Sequence, residues 1–138
     1  MHKVFIEKSI KRYAKSMIES GFWKKKEALK EAKRVYRKSA YKSSVYDFYT
    51  IYNEDNKIVG YLWLIKDRKI LFVAELYVRK KYRHQGYGRA ILKKVDKKAK
   101  KLNYEKIGLN VATHNKIAQS LYAQCGFEAL SEFRMKRV

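Results

Sequence analysis

Proline is absent from this 138-residue chain, cysteine occurs once, and acids are scarce, with 13 Asp and Glu against 34 Lys and Arg. A single cysteine cannot close an internal disulfide, so packing must hold the fold, and a reducing compartment is the simple expectation. No Gly/Ser-rich stretch or internal repeat marks a linker, and residues 1–138 read as one domain. Long apolar runs are also missing. Residues 58–65 and 70–74 are the longest, far short of the ~20 that a bilayer helix needs. Residues 1–7 lack the apolar stretch of a signal peptide, so a cytoplasmic protein with no membrane partner is expected.

What is present is enough to fold. Hydrophobic residues make up 46% and aromatics 14%, including 12 tyrosines, which supports a packed core and argues against wholesale disorder. The formal net charge is +21 and it is unevenly spread. Residues 1–44 carry +10 and residues 79–106 another +10, while 45–78 carry −1 and 107–138 only +2. Lysines on solvated helix faces explain any one of these charges. Two blocks of this size point to a polyanionic ligand without saying which.

Hydrophobic periodicity gives the elements. Ile6, Ile10, Tyr13 and Met17 fall at helical spacing, with Gly21 as the stop. A second helix is expected over 24–39, with Ala28, Leu29, Ala32, Val35 and Tyr36 on its apolar face. The Ser43–Ser44 pair opens a different regime. Strands follow over 46–52, 57–65 and 70–78, separated by the turn clusters 53–56 and 67–69. The third is apolar nearly throughout except for Glu75, as a strand covered on both faces would be. A helix over 88–102 buries Ile91, Leu92, Val95 and Ala99. A short strand over 106–111 and a helix over 115–124 come next, with Gly126 as a left-handed cap. Residues 127–129 and 133–138 supply short closing strands. The order α-α-β-β-β-α-β-α-β-(β) gives an α/β fold: a mixed, mostly antiparallel sheet with helices on both faces.

The segment from Val78 to Arg89 joins a strand to a helix. Gly86 and Gly88 allow a tight turn, and the first amides of the helix, at the positive end of its dipole, suit a pyrophosphate. Arg79, Lys80, Lys81, Arg83 and Arg89 surround that position with charge. A glycine turn without a ligand would look much the same, so a second signal is needed. It comes from Asn115, Ala118, Leu121, Tyr122, Gly126 and Phe127. Together with Arg83, Gly86 and Gly88 they make the chain resemble the GCN5-related N-acetyltransferase (GNAT) family. That family's acyl-CoA loop reads Q/R-x-x-G-x-G/A, and its later motif N-x-x-A-x-x-L-Y-x-x-x-G-F. Both occur in order, with one strand between them. The resemblance covers about residues 59–127, and the N-terminal helices are similar to those of uncharacterised bacterial members.

The resemblance implies acetyl-CoA as cosubstrate, lying where strands 70–78 and 106–111 splay apart. Leu76, Tyr77 and Val78 would pair with the pantetheine arm as an added strand does. The loop of Arg83, His84, Gln85, Gly86, Tyr87, Gly88 and Arg89 would hold the pyrophosphate. The 3′-phosphate would meet Lys93, Lys94, Lys97 or Lys98. Asn115 would contact the cosubstrate at its helix start, with plain helix capping as the alternative. Tyr122 stands where the family places the tyrosine that protonates the CoA sulfur. An ordinary core aromatic is the alternative in a chain so rich in tyrosine.

Glu75 is the candidate general base, directly or through water. Phe72 and Ala74 occupy the positions where better-known members carry theirs, and in an unbroken strand Glu75 faces the other way. A structural ion pair with a lysine is therefore the competing role, and His84 and His114 are further base candidates. No cluster has metal-ligand spacing, so no metal is expected, and Cys125 reads as packing.

Two departures from the family pattern stand out. Helical periodicity begins at about Phe5, so the usual first strand is short or missing, and an open sheet edge invites a homodimer. Asn103 also replaces a glycine, though asparagine tolerates a left-handed backbone.

The acceptor wall would come from the first helices, with Phe22, Trp23, Tyr36, Tyr41 and Tyr46 amid the first +10 block. Such a surface repels polyamines and aminoglycosides and attracts an amine on an acidic peptide, a ribosomal site or RNA. The expected activity is acetyl transfer to a primary amine by direct transfer in a ternary complex, since no covalent nucleophile is evident. The rival is a non-catalytic nucleic-acid- or ribosome-binding module on the same fold, favoured by lysines interleaved with tyrosines.

Overall fold

The computed structural model describes residues 2–39, 45–136 and 138, so Tyr41 and the Ser43–Ser44 pair lie outside the described residues. Helices α1 (His2–Glu19) and α2 (Lys25–Ser39) precede strands β1 (Tyr46–Tyr52), β2 (Ile58–Lys66) and β3 (Ile70–Val78). A 3-10 turn (Lys80–Tyr82) leads into α3 (Tyr87–Lys101), β4 (Lys106–Leu109) and α4 (Lys116–Gln124). The sheet order is β1-β2-β3-β4, antiparallel except for the parallel β3–β4 pair. The mixed, mostly antiparallel α/β sheet expected from the sequence is what forms. Among the described residues no helix is long and apolar enough to cross a membrane.

Local chemistry sets the turns. The Asn53 side-chain carbonyl accepts from the amides of Asp55 and Lys57, both at 3.0 Å, while Asn56 adopts φ 58°, closing the β1–β2 connection. Gly21 (φ 78°) and Asn103 (φ 62°) end their helices in left-handed conformation, as expected of them.

Strand alternation then sorts the core. Leu62, Leu64, Leu71 and Val73 face α3 and pack on Ile91, Val95 and Ala99. The opposite face presents Tyr61 and Trp63 to Ile10 and Tyr13 of α1, with Phe48 stacked on Trp63 at 5.3 Å. All four expected α3 residues, Ile91, Leu92, Val95 and Ala99, are buried. Between α1 and α2 the contact runs through Ala14, Ala28 and Ala32. This narrow alanine seam lets the backbones approach, and Leu29, expected on the same face, is left exposed at its side.

Two expectations need correction. No strand forms after α4: among the described residues, 127–136 and 138 join no ladder. Strand β4 stops at Leu109 rather than 111, because β3 diverges from it beyond that point. Ile117 of α4 is apolar yet 72% exposed. The described residues before β1 are helical or irregular, so β1 is an open edge of the sheet.

Candidate active site

The site begins at a defect in β3. Its pairing with β2 passes from Trp63↔Glu75 to Leu64↔Val73, leaving Ala74 without a partner. Such a bulge bends and twists the strand that carries it. Two consequences follow at the same place. The parallel ladder to β4 ends at Val73↔Leu109, so β3 runs on to Val78 with its β4-facing edge unpaired. The extra residue also resets the alternation. Glu75 lies opposite Trp63, on the α1 side with Tyr77, instead of facing α3 with Leu71 and Val73.

The segment after β3 is the glycine-containing loop that leads into α3. His84 (φ 61°) and Gly86 (φ 86°) are both left-handed, which turns successive backbone N–H groups toward one concavity. Gly86 caps α3 without any side-chain bond, so the first amides of the helix have no intrahelical acceptor. The two glycines do different work. Gly86 has open space where a Cβ would sit and is needed for its φ, whereas a Cβ on Gly88 would lie 2.9 Å from Leu121 Cδ2. Gly88 therefore lets α4 dock on the start of α3, and Arg89 hydrogen-bonds Gln124 across that contact. Arg83 turns back, donating from Nε to the Val78 carbonyl at 2.8 Å. One acceptor site of that carbonyl is thus already filled. Gln85 donates to the Lys81 carbonyl at 3.3 Å, and Tyr87 meets Tyr82 edge-on at 6.2 Å.

Helix α4 carries the second motif. The Asn115 side-chain oxygen accepts from the Ala118 amide at 3.2 Å, which is the capping role. Cys125 and Phe127 donate from their amides to the Tyr122 carbonyl at 3.1 and 3.0 Å, and Gly126 (φ 91°) completes the turn. Phe127 then packs edge-on against the Tyr122 ring at 5.8 Å. Burial raises the Tyr122 phenol above its ordinary value of 10.0. The hydroxyl makes no hydrogen bond among the described residues.

Glu75 is ion-paired, with an arginine rather than a lysine. Arg12 of α1 bonds its Oε1 and also reaches the hydroxyl of the fully buried Ser9 at 3.0 Å. The second oxygen, Oε2, is shielded and has no hydrogen-bond partner among the described residues. The Arg12 guanidinium lies 4.0 Å from the Tyr77 ring centroid and that of Arg83 5.4 Å from it. Tyr77 thus links α1 to the loop before α3 through two cation–π contacts. His114, at the far end of the site, pairs with Glu19 at 3.3 Å, whereas His84 is exposed in the loop. Among the described residues no group of three His, Cys, Asp or Glu could hold a metal.

The lysines of α3 are not equivalent. Lys98 bonds the Tyr49 hydroxyl and lies 3.4 Å from Asp47. The bond to Tyr49, reinforced by the nearby charges, raises the Lys98 ammonium above its ordinary value despite slight desolvation. Lys98 and Lys94 line a cavity of about 890 Å³ beneath β1, with Tyr49, Ile51 and Leu62. Lys98 is thereby committed to the β1 side of the molecule.

The acetyltransferase (GNAT) family model matches residues 15–127. The chain belongs to this family. It is 30% identical to the N-acetyltransferase YdgE of Bacillus subtilis (strain 168), over 94% of this chain and 86% of that protein. The acetyltransferase YycN of Bacillus subtilis superposes with a TM-score of 0.91 at 23% identity, covering 99% of this chain and 91% of that one. A GNAT acetyltransferase of Elizabethkingia anophelis with acetyl-CoA bound matches at a TM-score of 0.61 and 25% identity, over 74% of this chain and 63% of that one. The protein is an acetyl-CoA-dependent N-acetyltransferase by family, and acetyl transfer is its reaction class.

Within this GNAT frame, several residues that shape the site escaped the sequence reading. Arg12 looks like one more cation of a basic helix. Its signal was Ser9, a polar residue on the stripe of Ile6, Ile10 and Tyr13 that needs a buried partner. Gln119 ties down the β4–α4 loop through the carbonyls of Ala112 (3.0 Å) and Thr113 (2.9 Å). Gly60 sits opposite Val78, where a Cβ would lie 2.2 Å from the Tyr77 carbonyl oxygen. Neither Gly60 nor Gln119 carries a local pattern that announces these contacts.

Proposed function

We propose that the protein transfers the acetyl group of acetyl-CoA to a primary amine by direct attack in a ternary complex. The observation that carries this is the unpaired edge of β3 from Glu75 to Val78, opening beside the uncapped start of α3. In this reading Leu76, Tyr77 and Val78 pair with the pantetheine arm. The amides from Arg83 to Arg89 hold the pyrophosphate, and Lys93 or Lys97 meets the 3′-phosphate. Asn115 holds the start of α4 against the cosubstrate while capping it.

Bond changes then assign the proton carriers. The amine nitrogen bonds to the thioester carbon, its proton leaves, the C–S bond breaks and the thiolate takes a proton. Tyr122, held protonated by burial, donates to the sulfur. Glu75 Oε2, the oxygen without a partner, receives the amine proton directly or through water, and Arg12 orients the carboxylate. Glu75→Gln keeps the shape and removes this acceptor. Turnover at neutral pH should fall roughly tenfold, and the gap should narrow at higher pH, where solution supplies neutral amine. A lower melting temperature with unchanged kcat would leave Glu75 a purely structural partner of Arg12.

The acceptor follows from charge. In this reading the amine enters along α1 and α2, within a stretch of sequence (residues 1–44) that carries +10, so an amine on an acidic peptide or on RNA is favoured over a polyamine. The founding test is calorimetric titration with acetyl-CoA at physiological salt, with inorganic polyphosphate as a charge control. Saturable one-site binding of acetyl-CoA alone is expected. Equal binding of both would reduce the loop to a charge effect, and no binding would favour the nucleic-acid-binding reading.

A further inference from the structure

One helical turn from Arg12, α1 carries a positive charge with no counter-ion among the described residues. On this side of the sheet Tyr61 of β2 stands opposite Tyr77 of β3, and their rings stack at 6.4 Å. Two cations of α1 cover this ring pair. The Arg12 guanidinium lies 4.0 Å from the Tyr77 centroid and 5.8 Å from that of Tyr61, and the Lys8 ammonium lies 5.8 Å from the Tyr61 centroid. Their charges are in different states. Arg12 is neutralised by Glu75, whereas Lys8 is exposed and makes no hydrogen bond or ion pair among the described residues. A third cation near the rings, Arg83, is tied to the Val78 carbonyl. An aromatic face attracts an ammonium and fixes its place but supplies no net negative charge, so Lys8 can still take an anion.

We propose that Lys8 determines acceptor specificity: it holds a carboxylate of a peptide whose amine is acetylated beside Glu75. The inference rests on the direct-transfer reading above, which brings the amine to Glu75. Helix geometry sets the spacing. Four residues of rise put Lys8 about 6 Å along α1 from Arg12. An extended peptide advances ~3.4 Å per residue, so an Asp or Glu within about two residues of the amine reaches the ammonium. The same charge repels a second amine on the acceptor, which selects against diamines. A carboxylate suits the site better than RNA does. Nucleic acids bind by neutralising a run of phosphates, and here one ammonium without a polar partner stands over the rings.

The test uses short peptides with a single amine followed by two Asp, two Ala or two Arg residues. Thiol release reads turnover, and calorimetry reads binding. The wild-type protein should favour the acidic over the neutral peptide about fivefold in kcat/KM, through KM rather than kcat. That preference should shrink as salt rises from about 0.05 to 0.5 M. Lys8→Gln should abolish it, with the acidic peptide binding about fivefold more weakly, and Lys8→Arg should keep it. Lys100→Gln makes the same change in net charge on α3, across the sheet, and should leave the preference intact. Binding is read without turnover, so the two readings fail separately. Acidic-peptide binding lost only in Lys8→Gln, with no thiol released from any peptide, would keep Lys8 as the carboxylate contact and remove the transfer reading. No acidic preference in the wild-type protein, a preference kept in Lys8→Gln, an equal loss in Lys100→Gln, or tighter Lys8-dependent binding of a short RNA would each overturn the proposal.

Discussion

Tyr122→Phe should lower kcat on the order of 100-fold while acetyl-CoA still binds with unchanged affinity. The phenol sits on α4, which the Gly88–Leu121 contact docks against the start of α3, and its hydroxyl makes no hydrogen bond among the described residues. Phenylalanine keeps the edge-on contact with Phe127 and removes only the donor. The loss falls at the low end of general-acid effects because a thiol of ordinary pKa, near 8.5, leaves tolerably well as thiolate. The pH profile gives an independent reading. The protonated phenol is the donor, and burial raises its pKa above 10.0, so the alkaline limb belongs above pH 10. That limb should vanish in Tyr122→Phe, leaving only the rise caused by deprotonation of the acceptor. Unchanged kcat with a verified acceptor would remove Tyr122 from the chemistry.

Gly60→Ala should cost about 3 kcal/mol of stability, near the top of the usual range for overpacking. The melting temperature should fall by about 10 °C. The added Cβ would lie 2.2 Å from the Tyr77 carbonyl oxygen and 3.3 Å from Val78 Cα, all backbone, so no side-chain rotation relieves it. Strand β3 itself must move, at the residues proposed to pair with pantetheine, so acetyl-CoA affinity should fall along with stability. Gly108→Ala is the control. There the added Cβ would meet the Ile70 and Phe72 side chains at 3.0 and 3.6 Å, which can yield, and a cost below about 1 kcal/mol is expected. Equal melting temperatures for Gly60→Ala and wild type would mean that the β2–β3 pairing is softer than its geometry implies.

The elements were legible because their causes are local. The stripe Ile91, Leu92, Val95 and Ala99 needs only helical spacing to predict burial, and all four are buried. Asn53, Gly86 and Gly126 act on their own backbone, so the turns and caps could be placed from residue type. The side on which Glu75 stands could not be read this way. It depends on Ala74 being skipped in the β2–β3 register, a choice made by both strands together. Arg12 was hidden for a related reason: it lies 63 residues from Glu75, and only the polar Ser9 on the same helix sets it apart from its lysine neighbours.

By itself, then, the sequence determined an α/β chain with two basic blocks around a neutral sheet, and it carried the two motifs of an acetyltransferase in register. These properties are set by composition, period and short spacing, which folding does not alter. Tertiary structure alone decided that β3 parts from β4 at its bulge, that Lys98 turns away to Asp47 and Tyr49, and that residues 128–136 find no ladder among the described residues. Each of these is a choice between partners far apart in sequence. Strand pairing and ion pairing are settled by which groups packing brings within about 3 Å of one another, and local pattern holds no record of that.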